Sequence, residues 1–209
     1  LDQMGLKKKK FSFIYKNIYI YRFVMNIIYF GKYNQRFKIV TNLLNPKNDK
    51  TIVELCFGDT LIAHWCKLNN LKWFGFDINY EFIKNARSKG YNANYKDILK
   101  LESLPKSDVV VLMGSLYQFN ESLNDLINCV MNSTSKLIIS EPISNLASKK
   151  NLIGYLAQRL TKVGKGNEKF RYDYNHLKHA LKVACNGKFT VSEVKKTKKD
   201  LILIIHNNK

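Results

Sequence analysis

The sequence predicts an α/β domain built on a mostly parallel sheet. Three observations carry that prediction. Residues 109–113 are an unbroken apolar run and residues 52–55 a short one interrupted by Glu54 alone, as strands buried on both faces require. Stretches of helical periodicity lie between such runs, as parallel crossovers demand. Residues 189–194 and 201–206 are two last strands around a short Lys-rich turn, which reads as an antiparallel pair.

Length and composition set the frame. With 209 residues the chain can form one domain with a substantial core, and 45% hydrophobic residues place it among globular chains. The formal net charge is +19, from 35 basic and 16 acidic residues. An anionic partner, whether nucleic acid, acidic lipid or an acidic substrate, would explain that balance. Lys far outnumbers Arg, however, and Asn, Ile and Tyr are abundant, as an A/T-rich coding sequence produces. Nucleic-acid binders lean on Arg for bidentate contacts, so compositional drift is the simpler reading. Cys56, Cys66, Cys129 and Cys185 lack C-x-x-C spacing, so neither a zinc site nor a disulfide framework is expected, and a reducing cytoplasm is.

Met4 reads as the native start, with residues 1–3 a leftover ahead of it. Lys7 to Lys10 reads as a solvated basic arm. Residues 11–30 are apolar and aromatic, long enough for a membrane span. Lys16, Asn17, Arg22 and Asn26 interrupt them, so the expectation is a helix ending near Gly31 that packs on the domain or caps its site. Peripheral membrane contact is the other reading. Residues 33–44 form a second helix, closed by Asn45 and Pro46. Tyr29, Tyr33 and Arg36 lie near-successive turns apart and can share a face. Residues 1–48 are thus expected as a helical extension or lid, and 49–209 as the main domain.

The first strand runs into a tight turn at residues 56–58. A helix over 61–68 follows, with Asp59 or Thr60 as N-cap. Its N-terminus offers free N–H groups to a carboxylate or phosphate. A dinucleotide site would want G-x-G-x-x-G, but only Gly58 is present, and Glu54 and Asp59 would repel a pyrophosphate. Those acids instead attract a ligand with positive charge near an anionic end. Residues 73–77 are a second strand ending in Asp77, 23 positions after Glu54 and near the spacing of about 20 for a ribose-binding acid. A helix over 80–89 is closed by Gly90. Residues 91–95 suggest a third strand ahead of Lys96-Asp97-Ile98, so three acids fall at three successive strand ends.

On these residues the chain resembles the class I S-adenosylmethionine-dependent methyltransferases. Glu54-Leu55-Cys56-Phe57-Gly58 is similar to their acid-x-G-x-G motif, with Cys56 in the first glycine's place and Thr60 where a third often sits. The resemblance covers about residue 50 to the end. It implies a Rossmann-like, seven-stranded, mostly parallel sheet with a C-terminal antiparallel hairpin, and S-adenosylmethionine as cofactor. It further implies cofactor contacts at Glu54, Cys56, Gly58, Asp77, Ile78 and Gly114. Asp97 would bind the adenine amino group and Ile98 would pack on the ring. Tyr33 and Arg36 would cover the cofactor's carboxylate from the preceding helix.

Residues 105–108 make a turn into the fourth strand, 109–113. Residues 114–119 follow where members of the resembled family hold the reacting group. A helix over 123–131, a strand over 136–142, a helix over 146–160, a loop at 163–167 and a helix over 175–184 complete the chain. Met113-Gly114-Ser115-Leu116-Tyr117 departs from the N/D-P-P-Y/F motif of enzymes that methylate exocyclic base amines. It offers no acid to a divalent metal, and none is expected. Tyr117 is the polar group expected nearest the methyl, and Glu141 is a base or an orienting group for a substrate hydroxyl. His64 reads as packing. His176 and His179 have metal-ligand spacing but no third ligand. The first reading is metal-independent methyl transfer to a small-molecule, glycan-precursor or lipid-linked acceptor. An RNA methyltransferase and a cofactor-binding, non-catalytic partner subunit are the alternatives.

Overall fold

Five apolar residues in a row place strand β4, Val109–Met113, at the centre of the molecule, and all five are buried. A computed structural model describes residues 13–100, 103–143 and 170–208. The remaining strands are β1 Thr51–Leu55, β2 Lys72–Asp77, β3 Asn92–Tyr95, β5 Lys136–Pro142, β6 Phe189–Lys196 and β7 Asp200–Asn207. They form one sheet in the order β3-β2-β1-β4-β5-β7-β6. The first five are parallel, and β7 runs antiparallel to both β5 and β6. The order reverses between β1 and β4, so a crevice opens at their C-terminal ends.

Side chains on the strands alternate between two cores. Val53, Leu55, Val110 and Leu112 face one layer, with helices α5 Leu123–Met131 and α6 Tyr174–Cys185. Ile52, Val109, Val111 and Met113 face the other. That layer holds α1 Ile18–Ile28, α2 Tyr33–Thr41, α3 Leu61–Leu68 and α4 Tyr80–Ser88.

The N-terminal stretch departs from expectation. Residues 13–30 do not form one helix. A short 3-10 turn, Phe13–Lys16, is separated from α1 by Asn17, whose side chain accepts the backbone N–H of Tyr19 at 2.8 Å. An Asn that caps this way starts a helix rather than continuing one. Helix α2 ends at Thr41 rather than 44. The expected helix at 146–160, the loop at 163–167 and the Lys7 to Lys10 run lie outside the described residues. No helix among the described residues is long and apolar enough to cross a membrane.

Candidate active site

The first turn is shaped by two left-handed residues, Cys56 at φ 52° and Gly58 at φ 55°. Glycine takes this conformation freely; cysteine does so at a cost. Cys56 is held there by its backbone N–H, which donates to Phe76 O at 2.7 Å. The turn is tied to β2 a second time: Asp77 Oδ2 accepts from Gly58 N at 3.1 Å, and its Oδ1 accepts from Asn79 N at 2.8 Å. Asp77 therefore holds two loops in place. Burial raises its pKa to about 6, against the pull of those N–H groups.

The structure brings the strand-end groups together around Cys56. Burial, then the nearby charge of Asp77, hold its thiol well above the usual range; it also meets the Ser115 side chain and feels Asp97 and Glu141. Glu54 is 1% exposed, beneath the turn. Its Oε2 accepts from Trp73 Nε1 at 2.9 Å, while Oε1 is buried without a hydrogen-bond partner. Burial pushes its pKa well up. Ile78 and Asp97 are half-buried and Ile98 is buried at the ends of β2 and β3.

The N-terminal helices lie over this turn. The Tyr21 hydroxyl lies 3.1 Å from where a side chain on Gly58 would begin. Tyr15, Tyr21, Tyr33 and Phe82 form a ring cluster there, and Asn79 Nδ2 donates to Tyr15 O at 2.8 Å. Arg22 clamps Asp59 with two bonds, of 2.9 and 2.6 Å. Arg22 had counted only as an interruption of an apolar run; its spacing of 37 residues from Asp59 leaves no local signal.

Tyr29, Tyr33 and Arg36 do share a face. The Arg36 guanidinium lies 4.9 Å from the centre of the Tyr29 ring, and that ring 5.8 Å from Tyr33. Arg36 is 5% exposed and already engaged: Nη2 donates to Ser140 O at 3.2 Å. Its Nε is 3.5 Å from Asp200 Oδ2, an ion pair by distance but not a hydrogen bond. Asp200 also accepts from the Tyr29 hydroxyl at 2.9 Å. The guanidinium nitrogens come within 3.0 Å of where a side chain on Gly114, at φ 68°, would begin. Only glycine suits that place.

Beyond Gly114 the chain enters a 3-10 turn, Leu116–Ser122. Glu141, 0% exposed at the end of β5, accepts from Leu116 N at 2.9 Å and Tyr117 N at 3.2 Å. Each of its oxygens thus holds one N–H of the backbone that carries Tyr117. Burial still lifts its carboxyl to about 7. The Tyr117 ring is buried under the Arg171 guanidinium, 3.7 Å from its centre. His64 is exposed, with Nδ1 3.3 Å from the Tyr91 hydroxyl, and His176 stacks edge-on with Phe170 and Tyr172. Among the described residues no group of three His, Cys, Asp or Glu could hold a metal ion.

No protein-family model and no curated protein matches the sequence. Solved structures do match. Human N-acetylserotonin methyltransferase in complex with SAM aligns at TM-score 0.63 and 15% identity, over 94% of this chain and 58% of that one. An S-adenosylmethionine-dependent methyltransferase from Mesorhizobium loti aligns at 0.58 and 15%, over 82% of this chain and 97% of that one. An rRNA methylase from Escherichia coli aligns at 0.55 and 12%, over 93% and 70%. At such identities the likeness is one of fold, and this chain has the fold of the class I S-adenosylmethionine-dependent methyltransferases.

Proposed function

We propose that this chain is a methyltransferase that takes a methyl group from S-adenosylmethionine and passes it, without a metal ion, to a small-molecule, glycan-precursor or lipid-linked acceptor. The observation that carries the reading is the left-handed turn at the β1/β4 reversal, which Asp77 binds at Gly58 N, with Glu54 buried in the strand that leads into it and Asp97 just past the end of β3. The residues present fit the cofactor. Glu54 Oε1 is a buried acceptor lacking a partner, and the turns at Gly58 and Gly114 bring bare backbone to the crevice. Similar structures act on different acceptors, as the names N-acetylserotonin methyltransferase and rRNA methylase state of those proteins. The acceptor here is inferred from the fourth strand end, which carries Ser115-Leu116-Tyr117 in place of a base clamp.

When bound, the cofactor supplies a methyl group on a sulfonium, a good leaving group for in-line displacement. The protein's task is then to orient and to exclude water, which can lower a barrier by about 7–11 kcal/mol. Asp77 takes the ribose hydroxyls with the lone pairs its two backbone bonds leave. Asp97 and Ile98 take the adenine, the acid at its amino group and the isoleucine on its face. Glu54 takes the ammonium side of the amino-acid end. Arg36 and Tyr33 close over the carboxylate, Arg36 with the N–H groups that Ser140 leaves free. Tyr117 borders the acceptor. Glu141 is a positioning residue, since its oxygens hold the Leu116 and Tyr117 backbone.

Titration calorimetry with S-adenosylmethionine and its demethylated product tests the reading. Asp77→Ala is expected to weaken binding by about 1.5–3 kcal/mol, the worth of hydrogen bonds to a charged group. Asp77→Asn, which keeps one acceptor oxygen for the backbone, serves as the control for loop collapse. Unchanged affinity in Asp77→Ala, or tighter binding of NAD, would overturn the proposal.

A further inference from the structure

We infer that the outer face of α1 docks onto an anionic membrane surface. The helix carries apolar side chains both inward and outward, with Arg22 and Asn26 between them. Its inner face, Ile18, Tyr21, Met25 and Ile28, packs into the core layer. Its outer face carries Tyr19, Phe23 and Ile27 at successive turns, 75%, 68% and 56% exposed. Ile20 on the helix is also exposed, as are Phe13 before it in the chain and Phe30 after it. A contiguous apolar patch on a protein surface marks something that covers it.

Charge identifies the cover. Residues 3–48 contain ten Lys or Arg and no Asp or Glu. Asp59 and Asp200, the domain acids that meet this extension, are buried and face Arg22 and Arg36 rather than the stripe. Lys16 and Lys32 are exposed beside it, and the Lys199 ammonium lies 5.0 Å from the centre of the Phe30 ring. In sequence, Lys7 to Lys10 precede it directly. Aromatic and aliphatic side chains ringed by cations are what an interfacial helix presents to acidic headgroups. A second copy would set one acid-free extension against another, and like charge opposes that. A nucleic-acid surface would stack bases on its rings, but Ile20 and Ile27 offer no such face. At 11 residues, roughly 16 Å, α1 lies along the surface and does not cross it.

The docking has a consequence for the crevice. The same helix covers Gly58 with Tyr21 and clamps Asp59 with Arg22. The first turn then lies about one helix diameter, roughly 10–12 Å, from the lipid. An acceptor carried in the membrane would be within reach. The docking does not rest on the methyl-transfer reading, and each fails by its own experiment.

The test is flotation of the full chain with phosphatidylcholine vesicles, with and without phosphatidylglycerol. Binding is expected to the anionic vesicles, to weaken as salt rises, and to be slight with phosphatidylcholine alone. Phe23→Asp with Ile27→Asp should lower binding at least about tenfold while the melting transition is kept. If that variant does not fold, Lys16→Glu with Lys32→Glu gives the comparison, and binding equal to the parent overturns the inference. Equal binding to both vesicle types, or none, overturns it too. So does a dimer, or a complex with single-stranded RNA, that Phe23→Asp with Ile27→Asp dissolves in a chain that ignores vesicles.

Discussion

Replacing Gly75 by alanine tests how the acid beneath the first turn is held. Gly75 lies on β2 opposite Glu54 of β1. A Cβ there would clash with Cη2 of Trp73 and stand 2.5 Å from its Cζ2 and 2.8 Å from Cδ1 of Phe57. The indole has nowhere to go. Its Nε1 donates to Glu54 Oε2 at 2.9 Å, and it packs edge-on against Phe57 and Tyr91, at 5.3 and 6.1 Å between ring centres. Overpacking of this kind costs about 1–3 kcal/mol. Displacing Trp73 leaves a buried acceptor unbonded, which costs about 1–3 kcal/mol. Glu54 would then be buried with neither oxygen bonded, since Oε1 already lacks a partner. The two costs together are about 2–6 kcal/mol. At about 2–4 °C per kcal/mol for a domain of this size, Gly75→Ala should lower the melting temperature by about 4 °C at the least. Calorimetry or circular dichroism reads this directly. Trp73→Phe removes the clashing ring, so the double variant should cost less than the sum of the two singles. A melting temperature within about 2 °C of the parent, or strict additivity, would refute the argument.

Other substitutions separate the clamps that hold the N-terminal helices. Arg22→Met leaves Asp59 buried with Thr60 N; because Arg22 is about one-third exposed, water offsets part of the loss, and about 1.5–3 kcal/mol is expected. Amide exchange should speed up in α1 but not in β4, and unchanged exchange in α1 would dismiss the clamp. Arg36→Met strands the buried Asp200 and should cost about 3–5 kcal/mol. Adding Asp200→Asn should recover much of that, and no recovery would remove the pair from the account. The carboxyls of Glu141 and Asp77 are raised from 4.5 to about 7 and from 3.8 to about 6, both by burial. Between the ordinary and raised values the folded state binds more protons than the unfolded, so stability falls as pH rises through that window and is greatest below it. Glu141→Gln removes one share of the fall, so its urea midpoint should drop less from about pH 5 to about pH 7 than the parent's. Parallel curves would show that Glu141 does not titrate there.

The strands were legible because their information is local. Residues 109–113 and 136–142 occupy the predicted bounds, since the apolar runs at 109–113 and 137–139 have no other way to be covered in a parallel sheet, and Pro142 stops the second strand. The same is true of Leu123–Met131 and of the acids at the ends of β1, β2 and β3, whose spacing is fixed by one strand, one turn and one helix. What each polar group holds was settled by distance across the fold. Asn17 could continue a helix or cap one, and capping accompanies the tie between Tyr15 and Asn79, 64 residues away. Arg36 was expected to wait for a carboxylate, yet it meets Asp200, which β7 delivers by pairing antiparallel with β5. The pairing of Met113 with Ser140 sets the end of β5 beside the turn after β4, and there each oxygen of Glu141 accepts one backbone N–H. A strand needs only its own pattern to be recognised, but a buried charge takes its role from whichever partner the packed chain brings within about 3 Å.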